Sequence, residues 1–262
     1  MTLQSRLEAG SSRLTEANTL ALAPLPTEEM TMHPTEIPAA AHARFAGMRG
    51  RNRFDTLDPR RTALVVVDMQ NGFLEPGATV EVPTARKIVP AINRIAAALR
   101  QAGGVVAWLR FRTDAAALTD WSVFYRNQFD VQQQAAMQAA FGPDCHQFVL
   151  WPGLDVRGGD WVFDKTRYSA FVPGTCGLED ALRAAAIDTL IVTGTLTNCC
   201  CECTARDAMQ RNYRVFFVAD ANATLNDAEH TATLGNMAIL FAQVLPAEAL
   251  LRLISLATAK AA

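Results

Sequence analysis

Four cysteines, Cys199, Cys200, Cys201 and Cys203, crowd one short stretch, LIVTGTLTNCCCECTARDA, from Leu190 to Ala208. Thiols so grouped admit three chemistries: a thiolate nucleophile, a dithiol redox pair, or a zinc site. Placement decides among them. Leu190, Ile191 and Val192 form the apolar run of a buried strand, which Gly194 breaks. Thr197 and Asn198 are helix N-cap types, and Thr204, Ala205, Ala208 and Met209 then recur at helical spacing. Cys200 is therefore expected in a first helical turn, where free N–H groups favour thiolate over thiol. A turn from strand to helix is also where open α/β sheets bind ligands. Cys199, Cys201 and Cys203 read as small residues packing that helix. A closed zinc site needs a second ligand cluster, and His33, His42, His146 and His230 are scattered. The C-x-x-C of Cys200 and Cys203 keeps a thiol redox reading open.

Two further chemical groups stand at strand ends. TALVVVD is a buried strand closed by Asp68, and the strand from Trp161 to Phe163 runs into Asp164 and Lys165. Parallel strands would bring Asp68, Lys165 and Cys200 to one edge of the sheet. Such a set can hydrolyse an amide: the thiolate attacks the carbonyl carbon, Asp68 moves the proton, and Lys165 balances charge.

The elements that must position this set alternate along the chain. After the strand that ends in Asp68, a loop over MQNGFLEPGA leads to Thr84, expected to cap a helix through Ile88, Ile92, Ile95 and Leu99. Gly103 and Gly104 end it, and VVAWLR, residues 105–110, gives a second strand, so a right-handed parallel crossover is expected. Residues 113–152 carry Trp121, Phe124, Tyr125, Phe129 and Phe141 through a glutamine-rich segment, expected to be a partly helical insertion. A helix over 177–186 precedes the cysteine strand. A fifth strand over 213–218 leads to Asp220, a helix spans about 227–241, and Gln243–Leu245 can form a last short strand. The pattern predicts an α/β fold with an open, doubly wound sheet of about six strands. No Walker A or G-x-G-x-x-G pattern occurs.

Composition bounds the partners. The chain has 262 residues, half of them hydrophobic, and a net charge of −2, which suits one large domain and a small-molecule partner, with no nucleic acid and no membrane surface. The absence of a long apolar run argues against a membrane span, and the polar, acidic first twenty residues do not resemble a secretion signal. The six cysteines suit a reducing compartment better than a disulfide framework, so a cytoplasmic location is expected. Residues 1–55 read as an N-terminal arm broken by Pro24, Pro26, Pro34 and Pro38, with a possible short helix over Met1–Ala17, and residues 56–262 as the catalytic domain. Composition suits both a disordered arm and one lying across a partner subunit.

ALVVVDMQNGF, DKTRYSAF and TGTLTNCCCECTARDA, with a later strand ending in Asp220 and Ala221, resemble in order and spacing the isochorismatase-like cysteine hydrolases. The resemblance covers roughly Arg61 to Leu253. It implies a Rossmann-like three-layer α/β/α domain with a central, mainly parallel sheet and an Asp68, Lys165 and Cys200 triad. The TN-x-C pattern selects Cys200 over its neighbours. It also implies a non-proline cis peptide at Thr195–Leu196 and an oxyanion hole made by the N–H groups of Leu196 and Cys200. Nicotinamidase relatives place an Asp-x-His after the second strand; here the region reads LRFRTDAAAL, so no metal and no other cofactor is expected. The Arg two residues past the lysine is similar to the ureidoacrylate and N-carbamoyl amidohydrolase branch, which makes Arg167 a candidate for gripping a substrate carboxylate. Phe73, Trp108 and Tyr168 are candidate pocket walls. The expected activity is release of ammonia from a small amide, ureido or N-carbamoyl compound through a thioester. KTRYSAF also looks like the isochorismatase version, which leaves vinyl-ether hydrolysis as the alternative. A homodimer or homotetramer is what the family implies.

Overall fold

A computed structural model describes residues 31–45 and 54–261 of the chain. The sheet begins at β1, Thr62–Val67, six consecutive residues that are all buried. Such a strand must be covered on both faces, because neighbouring side chains point to opposite sides. Leu64 and Val66 enter one hydrophobic cluster, and Ala63, Val65 and Val67 the other.

The remaining strands are β2 (Val105–Phe111), β3 (Trp161–Lys165), β4 (Thr189–Thr195), β5 (Arg214–Ala223) and β6 (Gln243–Leu245). They form one six-stranded sheet in the order β3-β2-β1-β4-β5-β6, and every pairing is parallel. The order reverses between β1 and β4. In a doubly wound sheet a crevice opens at that point, beyond the carboxyl ends of the strands. β5 runs five residues past the expected end at Val218, to Ala223.

On one face lies the helix Ala85–Gln101, whose Ile88, Ile92, Ile95 and Leu99 recur at helical spacing and are fully buried, together with the terminal helix Ala247–Ala261. On the other lie the helices Leu178–Ala184, Glu202–Gln210 and Asp227–Asn236, and the arm helix Ala39–Phe45. The result is three layers, α/β/α. Thr84 makes no side-chain cap, since its own backbone is already helical at φ −64° and ψ −24°. The insertion folds as the short helices Ala115–Asp120, Ser122–Gln128 and Val131–Phe141. The expected helix over Met1–Ala17 falls outside the described residues. Among those described, no helix is long and apolar enough to cross a membrane.

Two backbone features shape the switch point. Asp68 has φ +53°, a left-handed conformation that short polar residues tolerate better than most. Gly194 has φ +117°, and a Cβ there would stand 2.2 Å from the Val67 carbonyl oxygen. Only glycine lets β4 approach β1 so closely beside Asp68. Gly194→Ala is expected to cost at least about 2 kcal/mol, from the clash and the disfavoured φ together. A denaturation midpoint within error of wild type would contradict this.

Candidate active site

Asp68 leaves β1 with its N–H bonded to the Leu109 carbonyl at 3.0 Å, and its side chain is fully buried. Lys165 ends β3, two strands away. Its stem passes the ring of Phe111 at the end of β2, with Nζ 5.1 Å from the ring centroid, and reaches to 2.8 Å from Asp68 Oδ2. Neither side chain is exposed to water. Nζ also donates to the Arg167 carbonyl at 3.0 Å. The approach to Asp68 is an ion-pair contact off the line of a well-directed hydrogen bond, so both carboxylate oxygens lack an aligned donor.

Cys200 sits in a π turn, Thr197–Cys201, which follows a cis peptide at Thr195–Leu196 and leads into the helix Glu202–Gln210. Thr197 and Asn198 do not cap that helix. The Thr197 hydroxyl pairs with His230 Nδ1 at 3.0 Å, and Asn198 Oδ1 accepts from the Thr224 hydroxyl at 2.6 Å. The side chains expected as caps instead tie the turn sideways to its neighbours.

Electrostatics overturn the expectation of a resting thiolate. A hydrogen bond with the Cys199 thiol and burial together push Cys200 well above the ordinary cysteine range. That same bond holds Cys199 below it, against burial. Position near a helix start is outweighed by the Cys199 thiol together with loss of water. Burial pushes Asp68 up, opposed by Lys165, and leaves it a stronger base than an exposed aspartate. Burial would lower Lys165, but the Asp68 carboxylate outweighs it and keeps the ammonium charged. The site can therefore store one proton on the thiol and accept it on the carboxylate. Burial pushes Cys203 up to about 11, so neither member of the C-x-x-C carries the low-pKa thiolate that a dithiol redox centre uses.

Cys200 and Cys199 open on a cavity of about 210 Å³. Phe73, Phe111, Phe124, Phe129 and Tyr168 form its walls, and Met137, Val80 and Leu196 complete them; none of these side chains is charged. A larger groove, about 610 Å³, lies at the opposite edge of the sheet around Pro59, Arg60, Gln101 and Leu253, away from these groups. Of the candidate pocket residues, Phe73 and Tyr168 line the cavity. Trp108 does not: it faces the core beneath the helix Ala85–Gln101 and donates from Nε1 to Asp160 at 2.8 Å. Arg167 does not either. Its guanidinium donates to the carbonyls of Thr166 and Asp120 at 2.9 and 3.0 Å and lies over the Trp121 ring, which fastens the insertion to the strand bearing Lys165. The carboxylate grip expected of Arg167 gives way to this scaffolding.

Phe111, Val80, Met137 and Gln70 are among the residues the sequence reading missed. Gln70 is fully buried; its amide donates to the Phe111 and Phe148 carbonyls at 3.0 and 2.9 Å and accepts from the Phe111 N–H at 2.7 Å, so it locks the loop after Asp68 to β2. Its place in VVVDMQNGF was the available signal. Among the described residues no group of three or more His, Cys, Asp or Glu side chains is arranged to hold a metal ion.

A doubly wound α/β domain with a buried thiol, carboxylate and ammonium gathered at its switch point holds groups that a hydrolase can use. The chain belongs to the isochorismatase family: the profile of the isochorismatase domain matches residues 62–249. It is 31% identical over 232 residues to the ureidoacrylate amidohydrolase RutB of Methylobacterium radiotolerans, covering 82% of this chain and 89% of that one. Among solved structures, a cysteine hydrolase from Pseudomonas syringae pv. phaseolicola superposes with a TM-score of 0.71 at 29% identity, covering 80% of this chain and 99% of the other. The N-carbamoylsarcosine amidase of Thermoplasma acidophilum does so with a TM-score of 0.56 at 28% identity, covering 72% and 97%. The fold is the one expected from the sequence, and the protein is an isochorismatase-family hydrolase.

Proposed function

We propose that this protein is a cysteine-dependent amidohydrolase that cleaves the C–N bond of a small amide, ureido or N-carbamoyl compound through a thioester on Cys200. The observation that carries the reading is the fully buried Asp68–Lys165 pair, 2.8 Å apart, at the switch point where Cys200 opens on the cavity. Relatives named ureidoacrylate amidohydrolase and N-carbamoylsarcosine amidase support the C–N bond as the target.

In this mechanism Asp68 takes the Cys200 proton as the sulfur attacks the carbonyl carbon. The carbonyl electrons move to oxygen, where the N–H groups of Leu196 and Cys200 receive the negative charge. Collapse of the tetrahedral adduct breaks the C–N bond, and the proton held on Asp68 leaves with ammonia. Asp68 then deprotonates a water, which hydrolyses the thioester and restores the thiol. Lys165 stays protonated throughout and keeps the buried carboxylate ionised between proton transfers.

The cavity refines the substrate. With aromatic and aliphatic walls and no cationic side chain, it suits an acyl group that is neutral and apolar, since an unpaired carboxylate buried there would be costly. Across a panel of aryl amides, nicotinamide, carbamoyl amino acids and ureidoacrylate, kcat/KM for ammonia release is expected to favour neutral aryl amides by at least about tenfold over carboxylate-bearing ureido acids. Arg167→Ala should leave KM for the neutral amides within about twofold, because the guanidinium makes no wall of the cavity. A preference for ureido acids that disappears in Arg167→Ala would contradict the apolar assignment and restore the carboxylate grip.

A further inference from the structure

The described part of the arm, residues 31–45, precedes the family domain, yet one of its side chains reaches the neighbours of the nucleophile turn. His33 is buried, with Nδ1 2.6 Å from Asp227 Oδ1 and Nε2 3.2 Å from the Thr224 amide. Its two ring nitrogens thus tie Asp227 to Thr224. The Thr224 carbonyl also lies 3.1 Å from Nε2. The same ring stacks on His230, with centroids 4.6 Å apart and planes 19° from parallel. Behind it, Pro38 and Ala41 pack over Gly235 of the helix Asp227–Asn236.

Both residues that His33 fixes hold the turn. Thr224 donates to Asn198, and His230, itself fully buried, meets the Thr197 hydroxyl at 3.0 Å. Thr197 and Asn198 are the first two residues of the π turn that presents Cys200. Burial and the neighbouring His33 hold His230 down to about 4, so at neutral pH the ring that meets the Thr197 hydroxyl is uncharged. The turn thus has no cap along its own axis and is braced from the side by a chain of contacts that starts in the arm.

We propose that His33 and His230 are positioning residues, through which the arm holds Thr197 and Asn198 and so sets the placement of the Cys200 sulfur and of the Leu196 and Cys200 N–H groups. The inference rests on the reading of Cys200 as the nucleophile. His33 touches no reacting atom; it acts on the turn through Thr224 and His230. Its bonds to the turn's neighbours span 191 to 194 positions of sequence, so a segment outside the family domain becomes part of the site's frame.

The test compares full-length wild type, His33→Ala, His33→Asn, Thr197→Val, the double variant His33→Ala/Thr197→Val, and Pro38→Ala as a packing control. Three quantities are read: the rate at which iodoacetamide alkylates Cys200, followed on its peptide by mass spectrometry; kcat and KM on a neutral aryl amide; and the unfolding midpoint. His33→Ala and Thr197→Val should each lower kcat on the order of tenfold with KM within about twofold, and slow Cys200 alkylation in parallel. The double variant should be no slower than the worse single one, because both act through one turn. His33→Asn, which keeps a donor near Asp227, should recover part of the loss, and Pro38→Ala should move only the midpoint. A lowered midpoint in His33→Ala with wild-type alkylation and kcat would overturn the proposal and leave His33 a packing residue. Slowed alkylation in His33→Ala, with no amide turned over even by wild type, would support the positioning role while removing the amidohydrolase reading.

Discussion

Cys200→Ala should lose turnover by a factor of about 10⁴ or more, while Cys203→Ala retains it within a few-fold. The size follows from the role proposed for the sulfur: without it no thioester forms, and the oxyanion hole alone has only water to work with. Cys203, in contrast, lies beyond the turn in the helix Glu202–Gln210, does not line the cavity, and has its thiol pushed up to about 11 by burial. Ammonia release measured on both variants side by side separates the two sulfurs. Equal loss in both would favour a dithiol mechanism. Cys199→Ala should fall between them, since Cys199 walls the cavity beside Cys200 without being one of the three groups proposed to do the chemistry.

The buried ion pair carries the second large effect, and it touches stability as well as rate. Lys165→Met leaves a fully buried carboxylate with no counter-charge, and Asp68→Asn strands a buried ammonium. Each change is expected to cost about 3–5 kcal/mol of folding stability, because breaking a buried pair leaves an uncompensated charge. Each should also lower kcat/KM by about 10³-fold, the scale of a lost general base or of the charge that keeps it ionised. The double variant Asp68→Asn/Lys165→Met sets the two effects apart. Removing both charges should restore most of the stability, since uncharged groups of similar volume can replace a buried pair at little cost, and should restore none of the activity. Recovery of activity in the double variant would show that the pair serves packing alone.

The same pair fixes the signs of the pH dependence. Burial raises Asp68, so the folded state holds its proton to higher pH than the unfolded chain does, and stability from this group falls as pH rises through that interval. Lys165 is held above its ordinary value, so its contribution is fully present below the usual lysine range and is lost as pH climbs past it. The proposed mechanism needs Asp68 ionised. The acidic limb of kcat/KM therefore lies above the pKa of an exposed aspartate and should vanish in Asp68→Asn, along with the rate.

Strands β1 and β4 could be read directly, because Ala63–Val67 and Leu190–Val192 are apolar runs of a kind that only strands buried on both faces need. That same continuity hid which aromatic of β2 faces the site. With both faces buried there is no polar alternation to mark one of them, so Trp108 stands as the candidate; the structure buries both Trp108 and Phe111 in one core cluster, and only Phe111, just past the expected strand end, also lines the cavity. Arg167 posed a similar problem, since its side chain is directed by Asp120 and Trp121 of the insertion, whose packing no local pattern encodes. Asp68, Lys165 and Cys200 were legible as strand-end residues, and the order of the three motifs gave them a common setting. Their charge states were not. The rule for a cysteine at a helix start predicts a thiolate, whereas the neighbouring Cys199 thiol and burial together favour the thiol. His33 lay furthest beyond reach, as an isolated histidine in a proline-broken arm with all its partners near the other end of the chain.

The thioester is the central claim, and it can be seen directly. Wild-type enzyme mixed with a neutral aryl amide, quenched in acid within its first turnovers and digested, should yield the Cys200 peptide heavier by the acyl group, together with one ammonia per adduct. The adduct should be absent from Cys200→Ala and released by hydroxylamine. An acyl group on Cys199 or Cys203 instead, or ammonia released by Cys200→Ala at the wild-type rate with no adduct, would contradict the account.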